Sequence, residues 1–151
     1  MPPDTDLATR SAAPRDADAI ARLLGELGYP TAPEQVPARL ERLSSDARAV
    51  VIVAEESGRV IGLATAHTHS SIHVDGEVAW ITSLVVGSAR RKHGVGRRLV
   101  AALEAWARSR GCVRLSVTTA LHRHEAHAFY ERLGFEFTGR RYTRPLSGHS
   151  A

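Results

Sequence analysis

The chain holds a single cysteine, Cys112, which excludes an internal disulfide and fits a reducing, cytoplasmic compartment. Its apolar neighbours Val113, Leu115 and Val117 place it in a buried strand. No apolar run approaches the roughly 18 residues that a membrane span needs. The opening MPPDTDLATR has no apolar leader core, so secretion is not expected either. The net charge of +4 and a pI near 10 raise the question of nucleic acid. The basic residues are not interleaved with aromatics, and no helix-turn-helix, zinc-finger or RNA-recognition signature appears, so nucleic acid is not the expected partner. Neither a nucleophilic cysteine nor a Ser-His-Asp arrangement is suggested by spacing.

What is present centres on Trp80–Trp106, WITSLVVGSARRKHGVGRRLVAALEAW. Trp80 to Val86 is a short, β-branched apolar run, the mark of a largely buried strand. Gly87 and Ser88 end it, and from Val95 onward Leu99, Val100, Leu103 and Trp106 recur on one helical face. A strand, a basic glycine turn and a helix start make an anion-binding device: unpaired N–H groups and the positive end of the helix dipole face the ligand. Gly94 and Gly96 keep the path free of Cβ atoms, and Arg90, Arg91, Lys92, Arg97 and Arg98 supply cations suited to phosphate. A P-loop would need Gly-Lys-Ser/Thr where Gly96-Arg97-Arg98 stands, and a Rossmann fingerprint would need a third glycine and a βαβ repeat.

The remaining pattern, Arg-x-x-Gly-x-Gly after a strand (Arg91, Gly94, Gly96), resembles the acyl-CoA motif of the GNAT family of N-acetyltransferases. A second stretch, Glu125 to Phe135, resembles that family's later signature A-x-x-F-Y-x-x-x-G-F through Ala126, Phe129, Tyr130, Gly134 and Phe135. The resemblance covers about Leu7 to Arg144. It implies acetyl-CoA as co-substrate, a cradle formed by Arg91, Lys92, His93, Gly94, Val95, Gly96 and Arg97, and a strand contact at Leu84, Val85 and Val86. It also implies that the strand before the cradle is splayed from the strand after it, with the pantetheine arm in the gap. Tyr130 takes the general acid's position beside the sulfur, and backbone N–H groups near Val85 and Val86 are candidates for the acyl oxygen.

Elsewhere the pattern is regular. The 151 residues suit one domain, with an ordered core at about 7–144 and residues 1–6 disordered. Leu7 to Ala13 reads as a strand, and Pro14 opens a helix carrying Ile20, Leu23, Leu24 and Leu27, ended at Gly28-Tyr29-Pro30. A second helix spans roughly 33–43. Ala49 to Glu55 and Arg59 to His69 are strands joined by a tight turn at Ser57-Gly58. Further strands are expected at 112–118 and 135–143. The order β-α-α-β-β-β-α-β-α-β implies a largely antiparallel sheet between helices. The resemblance makes this the three-layer acyl-CoA N-acyltransferase fold, a mixed sheet of six to seven strands flanked by about four helices.

The chemistry sets its own needs. An amine with a lysine-like pKa near 10.4 costs roughly 4–5 kcal/mol to deprotonate at pH 7, so the reaction needs a base, an oxyanion donor and an acid for the thiolate. Attack by the amine on the thioester is expected to be direct. Many relatives carry a glutamate on the central strand, but Ala79–Leu84 contains no carboxylate. Glu77, His67, His69 and His73 remain alternatives for the base. The family's asparagine before the second motif is replaced by Arg123. The groups His67, His69, His73 and His122, His124, His127 lack a zincin motif or thiolate set, so they read as acceptor-site lining and surface histidines and no metal is expected. The expected acceptor is a primary amine of a small molecule or peptide, and relatives often form homodimers. A non-catalytic acyl-CoA sensor is the alternative, supported by the missing strand carboxylate.

Overall fold

The computed structural model describes residues 6–91, 93–119 and 123–147. They fall into two compact units, Met1–Val117 and Thr118–Ala151. In the first unit β1 (Leu7–Ser11) leads to α1 (Ala17–Leu27) and α2 (Val36–Ser44). Then come β2 (Ala49–Glu56), β3 (Arg59–Ser70), β4 (Glu77–Val86), α3 (Val95–Ser109) and β5 (Cys112–Val117). The sheet order follows the chain, β1-β2-β3-β4-β5. Every neighbouring pair is antiparallel except β4 and β5, which run parallel because α3 carries the chain back between them. The β2–β3 turn is tight, with Ser57 and Gly58 both at positive φ, the twist that a two-residue hairpin needs.

Two apolar layers sandwich this sheet. On one face Ile20 and Leu23 of α1 and Val36 and Leu40 of α2 close over Val53, Leu63 and Val85. On the other, Leu99 and Val95 of α3 rest on Gly62 and are themselves fully buried. A Cβ added at Gly62 would stand 2.9 Å from Leu99 Cδ1 and 3.2 Å from Val95 Cγ1, so the bare backbone is what lets α3 come this close. The entry to α1 is tied down by charge. Arg10 of β1 grips buried Asp16 at 2.8 and 2.9 Å and Glu55 at 2.9 Å, while Asp16 also accepts the Ala13 N–H at 2.8 Å. Arginine beside it holds the Asp16 carboxyl below its ordinary range.

The second unit contains α4 (His124–Arg132). Gly134, at φ +92°, ends it: the Phe135 N–H reaches the Tyr130 carbonyl and the Gly134 N–H that of Glu131, both at 3.0 Å, the Schellman pattern. The strand expected over 135–143 does not form, and the described residues hold five strands rather than six or seven. An extended segment persists only when a neighbouring strand supplies its ladder, and Phe137 and Tyr142 there are exposed rather than packed. Of residues 1–6, expected to be disordered, 1–5 lie outside the described residues, whereas Asp6 accepts a bond from Ser57 Oγ at 3.1 Å.

Candidate active site

The site begins where the sheet opens. β5 pairs with β4 from Glu77 through Ile81 and ends at Val117, opposite Ile81. Beyond that point the second half of β4 has no β5 neighbour among the described residues. A β-bulge at Thr82 marks the same place: Ser83 pairs with Thr65 and Ile81 with Ala66, leaving Thr82 extra. Its hydroxyl lies 2.6 Å from that of Thr65.

Past the bulge the ladder fixes which N–H groups are available. The Gly87 N–H donates to the Ile61 carbonyl at 2.8 Å, and hydrogen-bonded pairs alternate along an antiparallel ladder. Leu63 and Val85 are therefore the next bonded pair, and the Val85 N–H is spent on β3. Leu84 and Val86 turn their N–H and C=O groups to the opposite edge, the one that β5 leaves open. The Arg91 Nε–H lies 3.4 Å from the Val86 carbonyl. Of the two N–H groups singled out from sequence for the acyl oxygen, only that of Val86 faces this edge.

From Val86 the chain passes Gly87, a short 3-10 turn at Ser88–Arg90 and Arg91 to the start of α3. Gly94 is the N-cap at φ +82°, a conformation that costs other residues free energy. It offers no side chain to cap the helix, and open space surrounds the position where a Cβ would stand. The first helical bond runs from the Arg98 N–H to the Gly94 carbonyl, which leaves the N–H groups of Val95, Gly96 and Arg97 directed outward. Val95 itself is buried and anchors the turn, whereas His93, Gly94 and Arg97 are exposed.

The cations divide their duties. Arg90 pairs with Glu56 at 2.7 Å, and Arg98 donates to the Leu7 carbonyl at 3.0 Å, so both bind the turn and helix to the sheet. Arg91 is half exposed, and Arg97 pairs with no acidic side chain among the described residues. Lys92 lies outside the described residues. The free cation of the turn is thus narrower than the run of five suggested.

On the face carrying Leu63, β3 continues with Thr65, His67 and His69, all half-buried. His67 stands opposite Trp80, and the His69 ring lies 6.3 Å from the Trp80 ring and 5.6 Å from that of His67. The His69 Nδ1 is shut from solvent without a hydrogen-bond partner among the described residues. Glu77 is bonded to Ser70 at the far end of β4, about 17 Å from Thr82 at the strand's rise per residue. His73 meets Ser71 in an exposed loop. Among the described residues no three His, Cys, Asp or Glu side chains converge as a metal set, and His122 lies outside them. No helix among them is long and apolar enough to cross a membrane. Cys112 is the first residue of β5 and is half-buried rather than buried, and Val113 beside it is exposed.

In the second unit Tyr130 is buried between Phe129 and Phe135, whose rings meet it edge-on at 5.1 and 5.4 Å. Burial pushes its phenol up to about 12, opposed weakly by Arg123. It is protonated throughout the physiological range.

A sheet edge with outward N–H groups thus leads into an uncapped, cationic helix start, an arrangement suited to an anionic ligand. The acetyltransferase (GNAT) family model matches residues 17–135. The chain is 31% identical to an aminoglycoside N(6′)-acetyltransferase type 1 of Stenotrophomonas maltophilia, over 87% of each chain. It is 31% identical to an aminoalkylphosphonate N-acetyltransferase of Salmonella typhimurium over 62% of this chain and 61% of that one. Its fold matches the aminoglycoside N-acetyltransferase AAC(6′)-Iy in complex with CoA at a TM-score of 0.85, 21% identity, and 97% and 99% coverage. The chain belongs to the GNAT family, and it is an acetyl-CoA-dependent N-acetyltransferase.

Proposed function

We propose that the enzyme moves an acetyl group from acetyl-CoA to a primary amine of a small molecule by direct attack. The diphosphate rests on the outward N–H groups of Val95, Gly96 and Arg97, with Arg91, Lys92 and His93 around it. The pantetheine arm lies along Leu84–Val86, and the Val86 N–H donates to the acyl oxygen as charge develops there. The observation that carries this reading is the end of β5 opposite Ile81, which frees the β4 edge leading straight into the cradle.

Tyr130 donates to the departing thiolate, a role supported by its motif and its protonation. A phenol near 12 opposite a thiol near 8.5 makes complete proton transfer uphill by ~5 kcal/mol, so Tyr130 stabilises the thiolate chiefly as a hydrogen-bond donor. The acceptor lies over Thr65, His67, His69 and Trp80, and its proton passes to His67 or His69, directly or through water. No carboxylate occurs in 63–69 or 80–86, which favours an acceptor with one amine over a polycationic one. The lone cysteine accords with a cytoplasmic setting. A thiol-release screen with acetyl-CoA tests the reading: monoamines give CoA release above background, and failure of every amine in a broad panel to raise release overturns it.

A further inference from the structure

Glu26 stands in the last turn of α1, where a carboxylate meets the negative end of the helix dipole, a locally unfavourable place. Its contacts lie at the cradle turn. The Glu26 Oε1 accepts the Ser88 N–H at 2.9 Å, an N–H at the start of a short helical turn that would otherwise lack an acceptor. The same oxygen is 3.9 Å from an Arg91 terminal nitrogen, while the Arg91 Nε–H points at the Val86 carbonyl at 3.4 Å. One carboxylate therefore holds both the backbone of the turn and the guanidinium nearest the open β4 edge.

We propose that Glu26 is a positioning residue for the co-substrate, one that competes with its phosphates for Arg91 while fixing the turn through Ser88. This rests on the reading of the turn as the phosphate site. The two functions of the carboxylate separate by chemistry. Glutamine keeps an acceptor oxygen for Ser88 but gives up the charge that draws Arg91 back; alanine gives up both.

The test is the affinity for acetyl-CoA, by calorimetry, of the full chain with Glu26→Gln, Arg91→Ala and both. An exposed pair of this length is worth a factor of about two to five, so Glu26→Gln is expected to bind acetyl-CoA that much more tightly at low ionic strength. The gain shrinks toward none near 1 M salt, where the Debye length is about 3 Å, and it disappears in the Arg91→Ala background. Glu26→Ala, with Ser88 unsupported, recovers only part of it. No gain with Glu26→Gln, or the same gain without Arg91, overturns the proposal while leaving the cradle in place. If Arg91→Ala leaves the affinity unchanged, the phosphate reading of the turn falls first, and the role of Glu26 with it.

Discussion

Gly62 of β3 lies directly beneath Leu99 of α3, so close that a Cβ at position 62 would come within 2.9 Å of Leu99 Cδ1. Leu99 is fully buried and Val95 nearly so, which leaves neither side chain room to withdraw. Val95 is also the first residue of α3 and the neighbour of Gly94. The seating of the helix on this glycine therefore sets where the cradle's N–H groups stand.

Gly62→Val is accordingly expected to destabilise the protein by about 2–3 kcal/mol through overpacking, and Gly62→Ala by about 1 kcal/mol or more. Denaturant melts read this directly. In the alanine variant, acetyl-CoA affinity is expected to fall as well, because the start of α3 moves.

Gly94 separates backbone strain from electrostatics. Gly94→Ala meets no neighbour but must hold φ +82°, at a cost of about 1–2 kcal/mol in stability. Gly94→Asp adds a negative charge beside the phosphates and is expected to weaken acetyl-CoA binding at least about tenfold more than the alanine change. Calorimetric titration of both variants checks the difference.

Tyr130→Phe keeps the ring packing and removes the donor. Turnover is expected to drop by about 10²-fold or more, with acetyl-CoA affinity changed by far less. The alkaline behaviour gives a second readout. The folded phenol is pushed up to about 12, above its ordinary value near 10, so the folded state keeps this proton longer than the unfolded chain does. The stability that Tyr130 contributes is thus complete below pH 10 and lost as the pH rises from 10 to 12. The phenylalanine variant is expected to show a shallower decline across that window.

Asp16 works in the opposite direction. Its folded carboxyl is held below the ordinary value of 3.8, so its contribution is present above that value and lost as the pH falls through the folded pKa. Asp16→Asn leaves Arg10 with Glu55 as its remaining carboxylate partner and is expected to cost about 2–3 kcal/mol at neutral pH. It is also expected to flatten the stability profile below about pH 4, as acid titration by circular dichroism reports.

Much of this architecture is legible in the chain because period and punctuation agree. The α1 stripe of Ile20, Leu23 and Leu27, the Ser57-Gly58 hairpin and the Gly134 helix stop each appear where spacing and turn chemistry put them. The turn before α3 is legible as a glycine turn, and Gly94 there adopts the left-handed conformation that glycine takes most cheaply. The strand expected at 135–143 shows the limit, since alternation specifies a face but does not supply a ladder partner. The phase of β4 is hidden too. One extra residue at Thr82 turns the Val85 N–H toward β3 and that of Val86 toward the open edge, and no spacing announces a bulge. Glu26 did leave a signal, an acid in the last turn of a helix whose last turn holds no basic residue.

A crystal structure of the complex with acetyl-CoA tests the central claim most directly. The account predicts the diphosphate on the N–H groups of Val95, Gly96 and Arg97, and the pantetheine arm hydrogen-bonded to Leu84 and Val86 but not to Val85. Density for the co-substrate in any other cleft, with the β4 edge and the start of α3 untouched, would contradict it.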